Sequence, residues 1–328
     1  MNKFLFCACS CLSLGLFAQS YAPAAGQPGS TAIHFSDSQF TSWATSVEVN
    51  RGYVNIEDTT IEAMGDNRAS FGSPALAIGP ASSDPADVVS LGDKGWAVLQ
   101  FTQPVINGSG YDFAVFENSF SDTYLELAHV EVSSNGVDFV RFPSHSEVQD
   151  EVQIHGFGAT DPKMIYNLAG KYRGGYGTPF DLEELTGISY LDVNNITHIK
   201  IIDVVGSVGD SATFDSYGNK INEPFSTPYE SGGFDLDAVG VIHQALNIDI
   251  EEKEKIVHVF PNPARETLTI NVLSTVDELT VYDNLGRTVY SEKDINISQV
   301  QLSLSPNLYF FHFHHKDQII VKKVVFVD

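Results

Sequence analysis

The chain has 328 residues, 43% of them hydrophobic, which is enough for two domains with cores of their own. Only 18% are charged, yet 42 acidic residues face 18 basic ones and the formal net charge is −24. That sign excludes nucleic acid and anionic membrane surfaces as natural partners, and leaves divalent cations, neutral glycans and small polar ligands open.

Residues 1–18 read as a secretory signal, with Lys3 as a short positive lead and an apolar run over 4–17 too short to span a bilayer. A cut after Ala18 is expected, although Leu16 is bulkier than the small residue usual two positions before. All three cysteines, Cys7, Cys9 and Cys11, fall inside this segment. An exported chain without them must hold itself together by its core or by metal ions. The acid is uneven as well. Residues 19–245 carry 30 acidic against 9 basic residues, so the excess belongs to the first domain.

Short strand-like runs follow a loose Ala/Pro/Gly leader. Residues 43–54 alternate in part. Residues 88–91 and 95–101 read as strands broken at Gly92-Asp93. Residues 111–117 (YDFAVFE) and 128–133 (AHVEVS) alternate well, and Ser134-Asn135-Gly136 signals a hairpin turn with a partner strand over 137–142. Residues 181–185 suit one helical turn, and 197–205 (THIKIIDVV) is another strand. The loop over 208–231 has little apolar content, and an ordered loop of that length needs a job or a staple, here a cation. Residues 231–241 (SGGFDLDAVGV) close the set as a half-buried strand. Phe234 and Leu236 point to one face and Asp235 and Asp237 to the other, with Gly232-Gly233 allowing a close backbone approach. Short strands, glycine-rich loops and almost no helical periodicity argue an all-β sandwich or jelly roll over 19–245. A polar linker over 246–256 leads to a small Ig-like β-sandwich over 257–328, with strand pairs and a DNLGR turn at 283–287.

Two constellations are candidates for function. The first is acidic: Asp112, Glu117, Asn118, Asp203, Asp210, Asp215, Asp235 and Asp237 bracket strands or sit in the long loop. They are the oxygen donors that Ca2+ takes six to eight of, and paired carboxylates repel unless something positive lies between them. Acids on a solvated sheet face are the plainer alternative. The second is aromatic: Tyr172, Arg173, Tyr176, Tyr217 and Tyr229 lie in loop-like stretches and suit stacking on a sugar or small molecule, or else plug the loops onto the core.

The last 70 residues resemble the C-terminal sorting domain of the type IX secretion system of Bacteroidetes. The resemblance rests on Val259-Phe260-Pro261-Asn262-Pro263-Ala264, Leu268-Thr269-Ile270, Val281-Tyr282-Asp283 with Leu285-Gly286-Arg287, Leu308-Tyr309-Phe310 and the basic Lys322-Lys323. Asn307 departs from the Gly usual there. The resemblance implies engagement of the type IX machinery through 257–328 and a secreted or outer-membrane-surface destination after signal-peptide export. Residues 85–243 resemble bacterial surface proteins of no firmly known activity, through DVVSLG (87–92), YDFAVFEN (111–118), LAHVEVSSNGVDFVRF (127–142), GYGTPFDL (175–182), ITHIKIIDVVGS (196–207) and SGGFDLDAVGVI (231–242). That likeness implies a galactose-binding-like or jelly-roll β-sandwich, similar in build to carbohydrate-binding and discoidin modules, and no particular reaction.

Enzyme motifs are thin. Gly209-Asp210-Ser211 lacks the context of a hydrolase motif, and there is no HExxH. The reading is an exported binding protein, calcium-stabilised, for a glycan or small nutrient. A secreted carbohydrate hydrolase or esterase, or a purely structural or adhesive surface protein, are the alternatives.

Overall fold

The computed structural model describes residues 20–82, 84–227, 231–245, 256–273, 275–295, 298–315 and 318–328. The signal-like segment, nearly all of the linker and Tyr229 lie outside the described residues. The chain divides into two compact units near residue 246.

The first unit is an all-β sandwich of two antiparallel sheets. With strands numbered in chain order, one sheet runs β1 (Ile33–His34), β11 (Tyr176–Phe180), β6 (Phe113–Glu117), β13 (Asp235–Val241) and β2 (Ser42–Trp43), with β4 (Val89–Ser90) also on β13. The other runs β3 (Ser46–Asn50), β5 (Trp96–Val105), β12 (Ile196–Asp203), β7 (Ala128–Ser133) and β8 (Val140–Arg141). A short ribbon pairs β9 (His145–Ser146) with β10 (Ile165–Tyr166). The two sheets share one core. Phe113, Val115, Leu236 and Val239 from the first meet Leu99, Val130, Ile199 and Ile201 from the second. Phe113 stacks on Phe180 at 5.4 Å and touches Phe142. Each such fully buried ring contributes roughly 1.5–3 kcal/mol.

β6 and β13 are covered on both sides, and this corrects the half-buried reading of the final strand. Ala114, Phe116 and Ala238 face outward, but Phe35, Phe40, Trp43 and Ala81 lie over them. Every residue of β13 is therefore buried. The alternation breaks as well. Leu236 pairs with Glu117 and Ala238 with Phe116, so Asp237 is the extra residue of a β-bulge. Asp235 and Asp237 consequently do not sit side by side. The glycine expectation holds: a Cβ on Gly233 would come within 2.5 Å of the Asp203 carboxylate, and its φ is +66°.

The expected strand over 137–142 shrinks to β8 because Asn135 folds the chain into an Asx turn, accepting from the N–H groups of Val137 and Asp138. The helical turn at 182–185 is a short 3-10 segment capped by Asp181. The long loop is stapled by amides and carboxylates of its own. Asn222 accepts from Ile154 N–H and donates to the carbonyls of Gln149 and Val152, and Lys220 Nζ donates to Val208 O.

The second unit is a smaller sandwich. One sheet orders β14 (Val257–Phe260), β15 (Leu268–Val272) and β18 (Ser298–Leu302). The other orders β17 (Thr288–Ile295), β16 (Val276–Asp283), β19 (Asn307–His315) and β20 (Gln318–Phe326). Ile270, Val281, Phe311, Phe313 and Phe326 are in its core. In the DNLGR turn, Gly286 takes φ +78° and Asp283 accepts from the N–H groups of Leu285 and Arg287. Asn307 needs no left-handed backbone: it opens β19, and its side chain accepts from Leu308 N–H.

Candidate functional site

The ends of β6 and β12, the start of β13 and the loops beside them bring carboxylates into the interior of the first unit. Glu117 ends β6, Glu126 precedes β7, Asp203 ends β12, Asp235 opens β13, Asp93 comes from an isolated bridge to Tyr53 and Glu223 from an irregular segment. All six are buried. Glu117 is raised well above the ordinary carboxylate range, first by burial and then by the charges of Glu126 and Asp235. Glu126 is raised by burial and by Asp235 and Asp93. Asp203 and Glu223 are raised by burial first, and the neighbours that add most are Asp93 for Asp203 and Asp203 for Glu223. Burial pushes Asp93 up to about 7 and Asp235 up to about 6.

The six differ in how they are held. Asp203 accepts from Phe234 N–H at 2.8 Å and Lys94 N–H at 2.9 Å, which ties β12 to the entry of β13. Asp93 accepts from Ile56 N–H, and Glu223 from Leu127 N–H. Asp235 accepts from Ser90 Oγ, and from Asn118 Nδ2 at 3.4 Å. Arg51 lowers its pKa from nearby, but the guanidinium donates to the carbonyls of Phe71, Gly72 and Ser90. Glu126 accepts from the side chains of Thr227 and Tyr124. Glu117 accepts from Ser119 N–H at 2.8 Å through Oε2, while its buried Oε1 has no partner. A buried carboxylate oxygen left unpaired costs several kcal/mol at most sites, so native structures seldom keep one without a ligand or a role.

This corner opens outward and inward. Outward is a cleft of about 540 Å³ lined by Met64, Phe71, Phe120, Tyr124, Glu126 and Asp235, together with Pro85, Asn118, Ser119 and Ser231. Phe120 is 64% exposed and stacks on Tyr124 at 4.6 Å, so an aromatic rim stands over an acidic floor. Inward, Asp93, Glu126, Glu223 and Thr227 line a void of about 10 Å³, close to the space of one water or one ion. A neighbouring cleft of about 330 Å³ carries Glu117, Asn118, Arg173 and Asp237. A larger cleft, about 800 Å³, is walled by Ser20, Tyr21, Pro23 and Pro28 and has no buried carboxylate on its lining, so volume alone does not mark the chemistry.

Of the acids singled out from sequence, Glu117, Asn118, Asp203 and Asp235 come together here. Asp237, the bulge residue, accepts from Ser82 N–H through both oxygens and is pushed up to about 7 by burial. Asp112 sits elsewhere with its acceptors filled by Gly108 N–H, Leu182 N–H and His243 Nδ1, a structural clamp. Asp215 is saturated by four donors from Ser146, Tyr217 and Asn219, and Asp210 is exposed on a turn. Among the described residues, no three His, Cys, Asp or Glu side chains converge closely enough to grip a metal as they stand.

The aromatic set disperses. Tyr172 is a correction: at 1% exposure, with its hydroxyl bonded to Thr31 Oγ1, it plugs the core and cannot stack on a ligand. Arg173 pairs with Asp122 and lies 4.8 Å over the Tyr176 ring. Tyr217 is 74% exposed, with its ring against His145. Sequence reasoning missed Asp93, Glu126 and Glu223, as well as Phe71 and Phe120. The available signal was Leu125-Glu126-Leu127, an acid between two apolar residues that are both fully buried.

Residues 258–327 match the secretion system C-terminal sorting domain family. The second unit is therefore such a sorting tail. It engages the type IX secretion machinery and marks the chain as a secreted or cell-surface protein. Comparison with curated proteins finds no match. Among solved structures, the chain is similar to the BSP domain of a biofilm associated protein, at 10% identity and TM-score 0.20, covering 71% of this chain and 48% of that one. It is similar to a beta-glucuronidase of Ruminococcus gnavus at 9% identity and TM-score 0.19, covering 75% and 37%. PorZ, a surface component of the type IX secretion system of Porphyromonas gingivalis, matches at 12% identity and TM-score 0.22, covering 81% and 43%. The chain spans less than half the length of each. No helix among the described residues is long and apolar enough to cross a membrane.

Proposed function

We propose that this is a surface binding protein whose ligand enters the cleft over Glu117, Glu126 and Asp235, and whose interior acids are neutralised by a calcium ion. The observation that supports it most is the unpartnered, buried Glu117 Oε1 beside two further buried carboxylates, under a cleft with an aromatic rim. An interior of like charges at neutral pH must either keep protons or take up a cation. The donors are all oxygen, which suits a hard cation, and the void between Asp93, Glu126 and Glu223 has the room of a single ion. Side chains must turn inward to close on it. The ligand on this reading is small and polar, a glycan unit or nutrient, with the Phe120–Tyr124 stack as its platform. Signal-peptide export through the periplasm precedes display.

Hydrolysis is the second reading, because Asp235 at about 6 is suited to exchange protons near neutral pH and shares its cleft with the raised Glu126. One experiment separates the two. The chain over residues 19–328 is melted with calcium and with chelator, then titrated with a glycan panel while product is assayed. A rise of several degrees with calcium and saturable binding without turnover is expected. Turnover lost in Asp235→Asn replaces the binding reading with the enzyme, and no calcium shift removes the ion.

A further inference from the structure

We propose that the ligand of the outer cleft is a small organic cation, an ammonium carried on a compact apolar or aromatic body. The inference rests on the reading of this cleft as a ligand site and names the chemistry it selects. Its walls combine three features that point the same way. Glu126 and Asp235 are the titratable carboxylates of the lining, and the lining contains no Lys, Arg or His. Both are buried, so an ion pair formed there is poorly screened by water. The remaining surface is mostly Met64, Phe71, Pro85, Phe120 and Tyr124. Aromatic faces beside a carboxylate attract a cation through the ring quadrupole and also accept its apolar body.

A neutral sugar fits these walls less well. It presents hydroxyl donors and acceptors together and asks for a mixed set of partners. Here the donors of the lining are already spent: Asn118 on Pro85 O and Asp235, Ser119 on backbone carbonyls, Ser231 on Asp235 and Tyr124 on Glu126. An ammonium supplies donors and charge and asks for no donor in return. The unpartnered Glu117 oxygen, next to Glu126 and Asp235, adds a third buried acid behind the floor, one that a bound cation would help to ionise. A volume of about 540 Å³ holds a molecule of roughly phenethylamine to small-alkaloid size. The one basic side chain beside Asp235, Arg51, is tied to three backbone carbonyls and does not enter the lining.

The test uses the chain over residues 19–328 and four probes: phenethylamine, its neutral isostere phenethyl alcohol, methyl glucoside and calcium chloride. Binding is read by calorimetry at pH 7.5. Phenethylamine is expected to bind about tenfold or more tighter than the alcohol. Glu126→Gln, which keeps the shape and removes the charge, should erase most of that preference. Phe120→Ala, at an exposed site that leaves the core intact, should weaken the amine several-fold and serves if the Gln variant does not fold. If the alcohol or glucoside binds as well as the amine and Phe120→Ala weakens them equally, the cleft is a ligand site but the cationic class is wrong. If calcium alone binds, or no probe binds, the outer cleft is not a ligand site and this inference falls with it. Unchanged amine binding in both variants also overturns it.

Discussion

The two units bury acid in opposite ways. In the sorting unit, Asp283 is the buried carboxylate among the described residues, and it is tucked under its own turn. It accepts from Leu285 and Arg287 N–H groups and pairs with Arg287 Nε at 2.7 Å, so its pKa is lowered, first by the Arg287 backbone bond. In the first unit, Asp93, Glu117, Glu126, Asp203, Glu223 and Asp235 are raised, and their strongest charged neighbours are mostly one another. One arrangement uses a carboxylate to close a turn. The other holds carboxylates against their own preference, which a fold keeps when a ligand or ion repays it. Within the first unit the hydrogen-bonding half of the contrast recurs: burial raises both Asp112 and Glu117, but Asp112 is a filled clamp and Glu117 is not.

Breaking the clamp should have the largest effect. Asp112→Ala strands the buried N–H of Leu182 and releases the Gly108 N–H at an exposed position, so urea denaturation should show a loss of about 1–3 kcal/mol. A loss below about 1 kcal/mol would mean that solvent reaches the Leu182 N–H as well. Glu117→Gln should do the reverse. It replaces an acid whose ionisation burial and like-charged neighbours oppose, and at pH 8 without ligand or calcium it should stabilise the first unit by about 1 kcal/mol. Destabilisation by the same amount would show that the ionised form is structurally required.

The pH dependence sharpens the comparison next. Asp93 at about 7, Asp235 at about 6 and Asp237 at about 7 bind protons more tightly folded than unfolded. Between about pH 4 and 7 the native state therefore holds the extra protons, and stability falls as pH rises through that window. The groups facing them are Glu57, Lys94, Asp87 and Arg51, besides Glu117, Glu126, Asp203 and Glu223. In chelator, the melting temperature of the first unit should be higher at pH 5 than at pH 8, and calcium should narrow the gap. A higher value at pH 8 would contradict the assignment. Asp283 has the opposite sign and the smallest effect: its stabilising contribution is present above the unfolded pKa and fades as pH falls through the lowered folded value. A carboxyl NMR titration should find it below the ordinary range, and a normal value would dissolve the contrast.

Much of the framework was legible in the sequence, because alternation and turn chemistry are local. AHVEVS became β7 at the expected bounds. The sorting-tail phrases fell on β14, β15, β16 and β19. β11 was not legible, since Gly177 and Pro179 interrupt any strand pattern and its place is fixed by pairing with β6, some 60 residues away in sequence. The bulge at Asp237 was equally hidden. Period two placed Asp235 and Asp237 together, but the extra residue turned them into different clefts. Half of the acidic corner was missed for the same reason. Asp93, Glu126 and Glu223 sit outside the regular strands, where there is no period, and only the sandwich closes the distance between them.

The most direct test of the central claim is calorimetry of cation binding in two buffers of different ionisation enthalpy. Calcium and phenethylamine are each titrated into the chain over residues 19–328 at pH 7. If the raised carboxylates are the site, binding must expel the protons they hold, and the two buffers should report release of roughly one proton per cation, abolished by Glu126→Gln. Binding with no proton release, or no binding of either cation, would contradict the account and leave the buried acids as a feature of the fold alone.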